Sequence, residues 1–104
     1  MRYTPFPKGP VVIQSWKGSV AQAIFEGKKP RGFPPDVVGA ARRRLARLDA
    51  ALNLQDLRLP PGNKLHALRG DRKGQWALWI NDQFRICFVW GANGAEDVEI
   101  VDYH

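Results

Sequence analysis

The sequence predicts an α+β fold in which a first strand and two helices pack on a mainly antiparallel sheet, whose last four strands form a meander. Three observations carry this prediction. Four apolar runs crowd the last third of the chain, residues 65–104 (LHALRGDRKGQWALWINDQFRICFVWGANGAEDVEIVDYH). The connectors between them, GDRKG, NDQ and GANG, are turn-forming and too short to join anything but antiparallel neighbours. Upstream, residues 35–52 repeat apolar side chains at helical spacing. With 104 residues, 44% of them hydrophobic and 25% charged, the chain has the composition of one globular domain and not of a disordered one.

Residues 1–10 hold Pro5, Pro7, Pro10 and Gly9 and read as an irregular lead-in, because proline opposes helix and central strand alike. Residues 11–16 (VVIQSW) are β-branched and aromatic and form the first strand. Ser19 is placed to cap a short helix reaching about Phe25, with Val20, Ala23, Ile24 and Phe25 inward, and Gly27 ends it. Residues 27–35 (GKKPRGFPP) are a loop whose Lys28, Lys29 and Arg31 make a basic cluster, either solvated or a contact for nucleic acid or ribosome. The strongest helix runs from Pro35 or Asp36 to about Leu52. Its Val37, Ala41, Leu45, Leu48 and Leu52 fall within an arc of about 80° at helical spacing. Arg42, Arg43 and Arg47 lie outside that stripe and give the helix a basic outer surface, either simply solvated or used to bind RNA or an acidic partner. Residues 54–59 form an apolar-alternating connector closed by Pro60, Pro61 and Gly62. Strands are then expected at residues 64–69, 75–81, 84–90 and 96–103, and Asn93-Gly94 is the strongest hairpin signal. The position of the first strand in the sheet is left open.

Sixteen Lys and Arg against ten Asp and Glu give a net charge of +6, which points to a polyanionic partner: nucleic acid first, then an anionic membrane surface or an acidic protein. The bland counterpart is charge that serves solubility alone. Cys87 is the sole cysteine, so an intrachain disulfide and a cysteine zinc site are both excluded, as suits a reducing cytosol. With no apolar run of membrane-spanning length and no signal-peptide pattern, a cytoplasmic protein is expected.

Strand alternation puts Trp76, Leu78 and Ile80 opposite in facing to Gln75, Ala77 and Trp79, and Phe84, Ile86, Phe88 and Trp90 opposite to Arg85, Cys87 and Val89. The aromatic residues read first as core. A guanidinium inside the apolar 84–90 strand reaches either a carboxylate (Asp97, Glu99 or Asp102) or a phosphate-accepting surface. Val98, Ile100, Asp102 and His104 share one face of the last strand; Glu99, Val101 and Tyr103 share the other. The chain printed here stops on Asp102-Tyr103-His104, and that end is expected to belong to an active site. His66 and His104, which taken alone read first as a structural residue and a frayed end, would together supply the acid and the base for cleaving RNA through its own 2′-hydroxyl. Arg69, Lys73 and Arg85 could stabilise the transition state. That chemistry needs no metal and no cofactor, and two histidines do not suggest a histidine metal site.

The motifs LPPGNKLHAL, GDRKGQW, INDQFRICFVW and VEIVDYH, preceded by RRRLARLDAALNLQDLRL, closely resemble the HigB branch of the RelE/ParE superfamily, the toxins of type II toxin–antitoxin pairs. The resemblance spans roughly residues 11–104; the opening MRYTPFPKGP departs from the family's usual start. It implies a microbial RNase fold and a ribosome-dependent endonuclease that cuts mRNA during translation. The positions of His66, Asp102, Tyr103 and His104 would carry activity, with Asp102 orienting or substituting for a histidine and Tyr103 binding a nucleotide. Arg85 and Arg69 would assist, Arg69 where a lysine also occurs in the family, and Arg72 and Lys73 would contact RNA phosphate. The implied partners are a HigA-type helix-turn-helix antitoxin, operator DNA through that antitoxin, and mRNA and 16S rRNA on the ribosome, with Arg42, Arg43, Arg47, Lys28 and Lys29 as candidate contacts. The competing functions are a ParE-like inhibitor of DNA gyrase and a nucleic-acid-binding module without chemistry.

Overall fold

A computed structural model describes residues 13–103. The lead-in at 1–10, the start of the expected first strand and His104 lie outside the described residues. Helix α1 spans Val20–Phe25 and α2 spans Pro35–Ala50. Three short 3-10 turns and the strands β1 (His66–Ala67), β2 (Gln75–Trp79), β3 (Phe84–Gly91) and β4 (Gly94–Asp102) complete the described chain. The strands form one antiparallel sheet in the order β1-β2-β3-β4, the expected meander.

The local chemistry accounts for most boundaries. Helix α1 ends in a paired cap: Gly27 at φ 93° lets its own N–H donate to Ile24 O and the Lys28 N–H donate to Ala23 O. Ser19 stands at the N-cap without a side-chain cap bond, and Ala21, not Ala23, is buried beside Ile24. Helix α2 opens on Pro35, whose missing N–H costs nothing in the first turn. It stops short of Leu52 because the next turn caps itself. Asn53 accepts from the Asp56 N–H, while Asp56 Oδ2 accepts from the N–H groups of Leu52 and Asn53. Leu52 is thereby turned outward, 72% exposed, and Val38 takes the fifth place in the apolar stripe.

Residues 13–16 do not form a regular strand. Ile13 and Trp16 make isolated parallel bridges to Ala95 and Val98, so the segment runs along the free edge of β4. The Gln14 N–H donates to Ala95 O, Lys17 N–H to Val98 O and Val98 N–H to Ser15 O. Asp97 makes room for this docking. It is the extra residue of a bulge in β4, sits at φ 52°, and its N–H donates to Ser15 Oγ. The predicted first strand of the meander is likewise shorter, with only His66–Ala67 paired. The hairpin at Asn93 is present, with Ala92 and Asn93 as its turn and Gly91 opposite Gly94.

The core lies between the helices and one face of the sheet. Val37, Val38, Ala41, Leu45 and Leu48 of α2 share it with Leu78, Ile86, Phe88 and Val98, and Phe33 packs its ring on Phe84 at 5.1 Å. Each of these side chains except that of Ala41 contributes about 1.5–3 kcal/mol by leaving water. The other face of the sheet turns away from the helices.

Candidate active site on the helix-free face

Cross-strand register decides which side chains meet. His66 pairs with Ala77, Ala77 with Cys87, and Cys87 with Glu99, a row running across all four strands. The next row holds Trp79, Arg85 and Val101. Paired residues point the same way, so both rows lie on the helix-free face.

Arg85 resolves its two sequence alternatives without a carboxylate. Its Nη1 donates to the carbonyls of Asn81 and Phe84, the latter at 3.1 Å, and its guanidinium lies 5.2 Å from the Tyr103 ring centroid. No acid among the described residues pairs with it. Its charge is therefore fixed in position yet left uncompensated by a described carboxylate. Burial pushes both the Tyr103 hydroxyl and the Cys87 thiol above their ordinary values of 10.0 and 9.0. Charge and hydrogen bonding from Cys87 raise Tyr103 further, whereas Arg72 and Arg85 pull it down.

Arg72 reaches this face from the turn Gly70–Arg72. Its Nη1 donates to Gln75 Oε1 and to Glu99 Oε2, each at 3.0 Å. The hydrogen bond to Glu99 holds the guanidinium even more firmly protonated than usual. Lys17 Nζ lies 3.7 Å from the same carboxylate oxygen. Lys64 places its Nζ 4.3 Å from the Trp79 ring centroid, so Trp79 belongs to this face and not to the core.

The exposed His66 ring holds Nδ1 2.8 Å from the Lys64 carbonyl. A carbonyl can only accept, so the proton sits on Nδ1. In the neutral ring Nε2 then carries the free lone pair, the tautomer a general base needs.

Asp102 pairs with Phe84 and so has the opposite parity to Arg85 and Tyr103; Gln83 Nε2 donates to its Oδ2 at 3.2 Å. Arg69 and Lys73 are exposed beside β1 and β2, with no side-chain bond to another described residue. His104 falls outside the described residues. The face thus gathers His66, Arg72, Arg85 and Tyr103, and by register sets Asp102 on the other side of the strand.

The basic residues of the helices divide differently. Arg42 is not free on the outer surface: its Nε donates to Ile24 O and its Nη2 to Lys28 O, closing the end of α1. Lys28 lies 3.6 Å from Glu26, and Lys29 and Arg31 are exposed in the loop. Arg43, Arg44 and Arg47 line an open cleft of about 270 Å3 with Pro60 and Asn63. Burial, with the nearby Arg43 charge, lowers the pKa of Arg44.

The sequence offers Glu99 only as a possible partner for Arg85, whereas it pairs with Arg72, and it gives Gln75 and Cys87 a facing but no role. Glu99 shares strand parity with Tyr103, which is the signal that could have found it. The bulge at Asp97, which sets Glu99 opposite Cys87, has no comparable signature.

The described chain is thus a small α+β fold whose helix-free sheet face carries His66 and two arginines. A family profile described as the RelE-like toxin of the type II toxin-antitoxin system HigB matches residues 14–104. The chain belongs to this HigB-like toxin family. It is 40% identical over 69 residues to the protein named Toxin HigB-1 of Vibrio cholerae serotype O1 (strain ATCC 39315 / El Tor Inaba N16961), covering 66% of this chain and 73% of that one. It is 31% identical over 93 residues to the protein named Endoribonuclease HigB of Proteus vulgaris, covering 89% of this chain and all of that one (100%).

Proposed function

We propose that this toxin is a ribosome-dependent endoribonuclease that cuts mRNA during translation on the helix-free face of its sheet. One observation carries the reading: His66, Arg72, Arg85 and Tyr103 share that face, in a family whose Proteus vulgaris member is named an endoribonuclease. His66 Nε2 takes the proton of the RNA 2′-hydroxyl as the 2′-oxygen attacks the adjacent phosphorus. The bond from phosphorus to the 5′-oxygen breaks, and that oxygen receives a proton from His104, leaving a 2′,3′-cyclic phosphate. Arg85 and Arg72 hold the charge that builds on the phosphoryl oxygens, with Arg69 and Lys73 binding flanking phosphates. Tyr103 seats a nucleotide, and Asp102 orients His104. The cycle uses protein groups alone.

A type II toxin has an antitoxin partner; a HigA-type helix-turn-helix protein is the proposed one, and its complex with the toxin represses their shared operator. The arginine cleft on α2, together with Lys28 and Lys29, serves the 16S rRNA or the antitoxin, so that binding one excludes the other. No helix among the described residues is long and apolar enough to cross a membrane, and the site of action is the cytoplasm.

Primer extension on mRNA from a translating extract tests the reading, with a gyrase supercoiling assay run in parallel. Cuts that require ribosomes and vanish with His66→Ala support it. Inhibited supercoiling without cuts would establish a gyrase inhibitor instead, and neither effect would leave a binding module.

A further inference from the structure

Arg72 makes an unusual reach. It leaves the turn between β1 and β2, yet its guanidinium contacts Glu99 on β4, so the side chain lies across the helix-free face over Gln75 and Cys87. An arginine on a turn would ordinarily keep its long side chain in water, because holding it costs rotamer entropy. Here Glu99 offsets that cost. The carboxylate is well shielded, with 17% of its side chain exposed against 31% for Arg72, and the Nη1–Oε2 distance is 3.0 Å.

The donor count is informative. Arginine has five N–H groups in a planar fork. Both hydrogens of Nη1 are taken, one by Gln75 and one by Glu99. Nε and both hydrogens of Nη2 have no acceptor among the described residues. The fork is held by one corner while three donors stay unassigned, in the neighbourhood of Tyr103 and Cys87. A pair serving stability alone would gain from a bidentate contact, which would use two nitrogens of the fork.

We propose that Glu99 is a positioning residue for RNA cleavage: it fixes the Arg72 guanidinium by Nη1, so that the remaining donors meet a phosphoryl group of RNA. This rests on the reading of the helix-free face as the cleavage site. Two opposed effects follow. Losing the Glu99 contact frees Arg72 to leave its orientation, which slows the chemical step. Losing the Glu99 charge also makes the face more cationic, which favours binding of the polyanion in the ground state. The rate at saturation falls while the half-saturating concentration does not rise.

The test is single-turnover cleavage on mRNA-programmed ribosomes, varying toxin concentration, with melting temperature measured for each variant. Glu99→Leu removes the acceptor, and its saturating rate is predicted to fall on the order of 10- to 100-fold, the scale of an ångström-level misplacement. Its half-saturating concentration should stay equal or fall. Glu99→Gln, whose amide oxygen has the same reach, recovers most of the rate. If Glu99→Leu fails to fold, Arg72→Lys replaces it: the ion pair survives, the fork is lost, and the same rate loss is predicted. A wild-type saturating rate in Glu99→Leu or Arg72→Lys overturns the proposal, as does a loss in Glu99→Leu that Glu99→Gln does not recover. These outcomes leave the cleavage reading standing, whereas absence of cuts by the wild-type toxin overturns both.

Discussion

Arg85 illustrates how a charge can be kept inside an apolar strand without being neutralised. Main-chain carbonyls of Asn81 and Phe84 take its Nη1 protons, and the Tyr103 ring takes part of its face. Partial charges from carbonyls fix the group, while the full charge stays available to an anion. A lysine could not bond these acceptors and keep a planar face on Tyr103. Arg85→Lys is therefore predicted to cut the saturating rate of mRNA cleavage by about 10²-fold or more, the cost of removing one aimed donor from a developing charge. A fully active Arg85→Lys toxin in the primer-extension assay would show that a point charge suffices. His66 is set in a similar way, by one backbone carbonyl that selects its tautomer. That selection was illegible in the sequence, because Lys64 acts through its main chain and not its side chain.

Among the elements, α2 and the meander were legible and the edges were not. The apolar stripe of α2 and the alternation of β2 and β3 are periodic, and periodicity survives folding. Leu52 broke the pattern because Asn53 and Asp56 cap a separate turn that ends the helix at Ala50. The docking of residues 13–16 on β4 depends on the bulge at Asp97, a conformational choice with no periodic trace. The same bulge explains why face parity within β4 could be read for Glu99 and Tyr103 while the partner of Glu99 could not. Leu45→Ala should cost about 2–5 kcal/mol, because a fully buried side chain leaves a cavity. Leu52→Ala should stay within about 0.5 kcal/mol. Urea unfolding of the two variants checks both values, and equal losses would mean that α2 extends through Leu52.

At the scale of the whole molecule, the helices and the proposed cleavage site occupy opposite sides of one sheet. The core side carries stability, and the other side carries His66, Arg72, Arg85 and Tyr103. This face still contributes to folding through Cys87 and Tyr103. Both hold their protons more tightly when folded than when unfolded, chiefly through burial. The folded state therefore binds more protons once pH passes the ordinary values of 9.0 and 10.0. Stability from these two groups is complete below that range and is lost as pH rises through and above it. Melting temperatures across this alkaline range should decline, and Cys87→Ala should delay the onset; an identical profile in that variant would remove the thiol from the account.

The assignment of the reaction to the helix-free face stands or falls at His66, whose exposed side chain bears little on folding. The decisive measurement is the single-turnover rate of His66→Ala against wild type on saturating mRNA-programmed ribosomes. A loss of about 10²- to 10⁴-fold, at unchanged melting temperature, is the predicted result for a proton-transfer residue. Cleavage at the wild-type rate by His66→Ala would contradict the account.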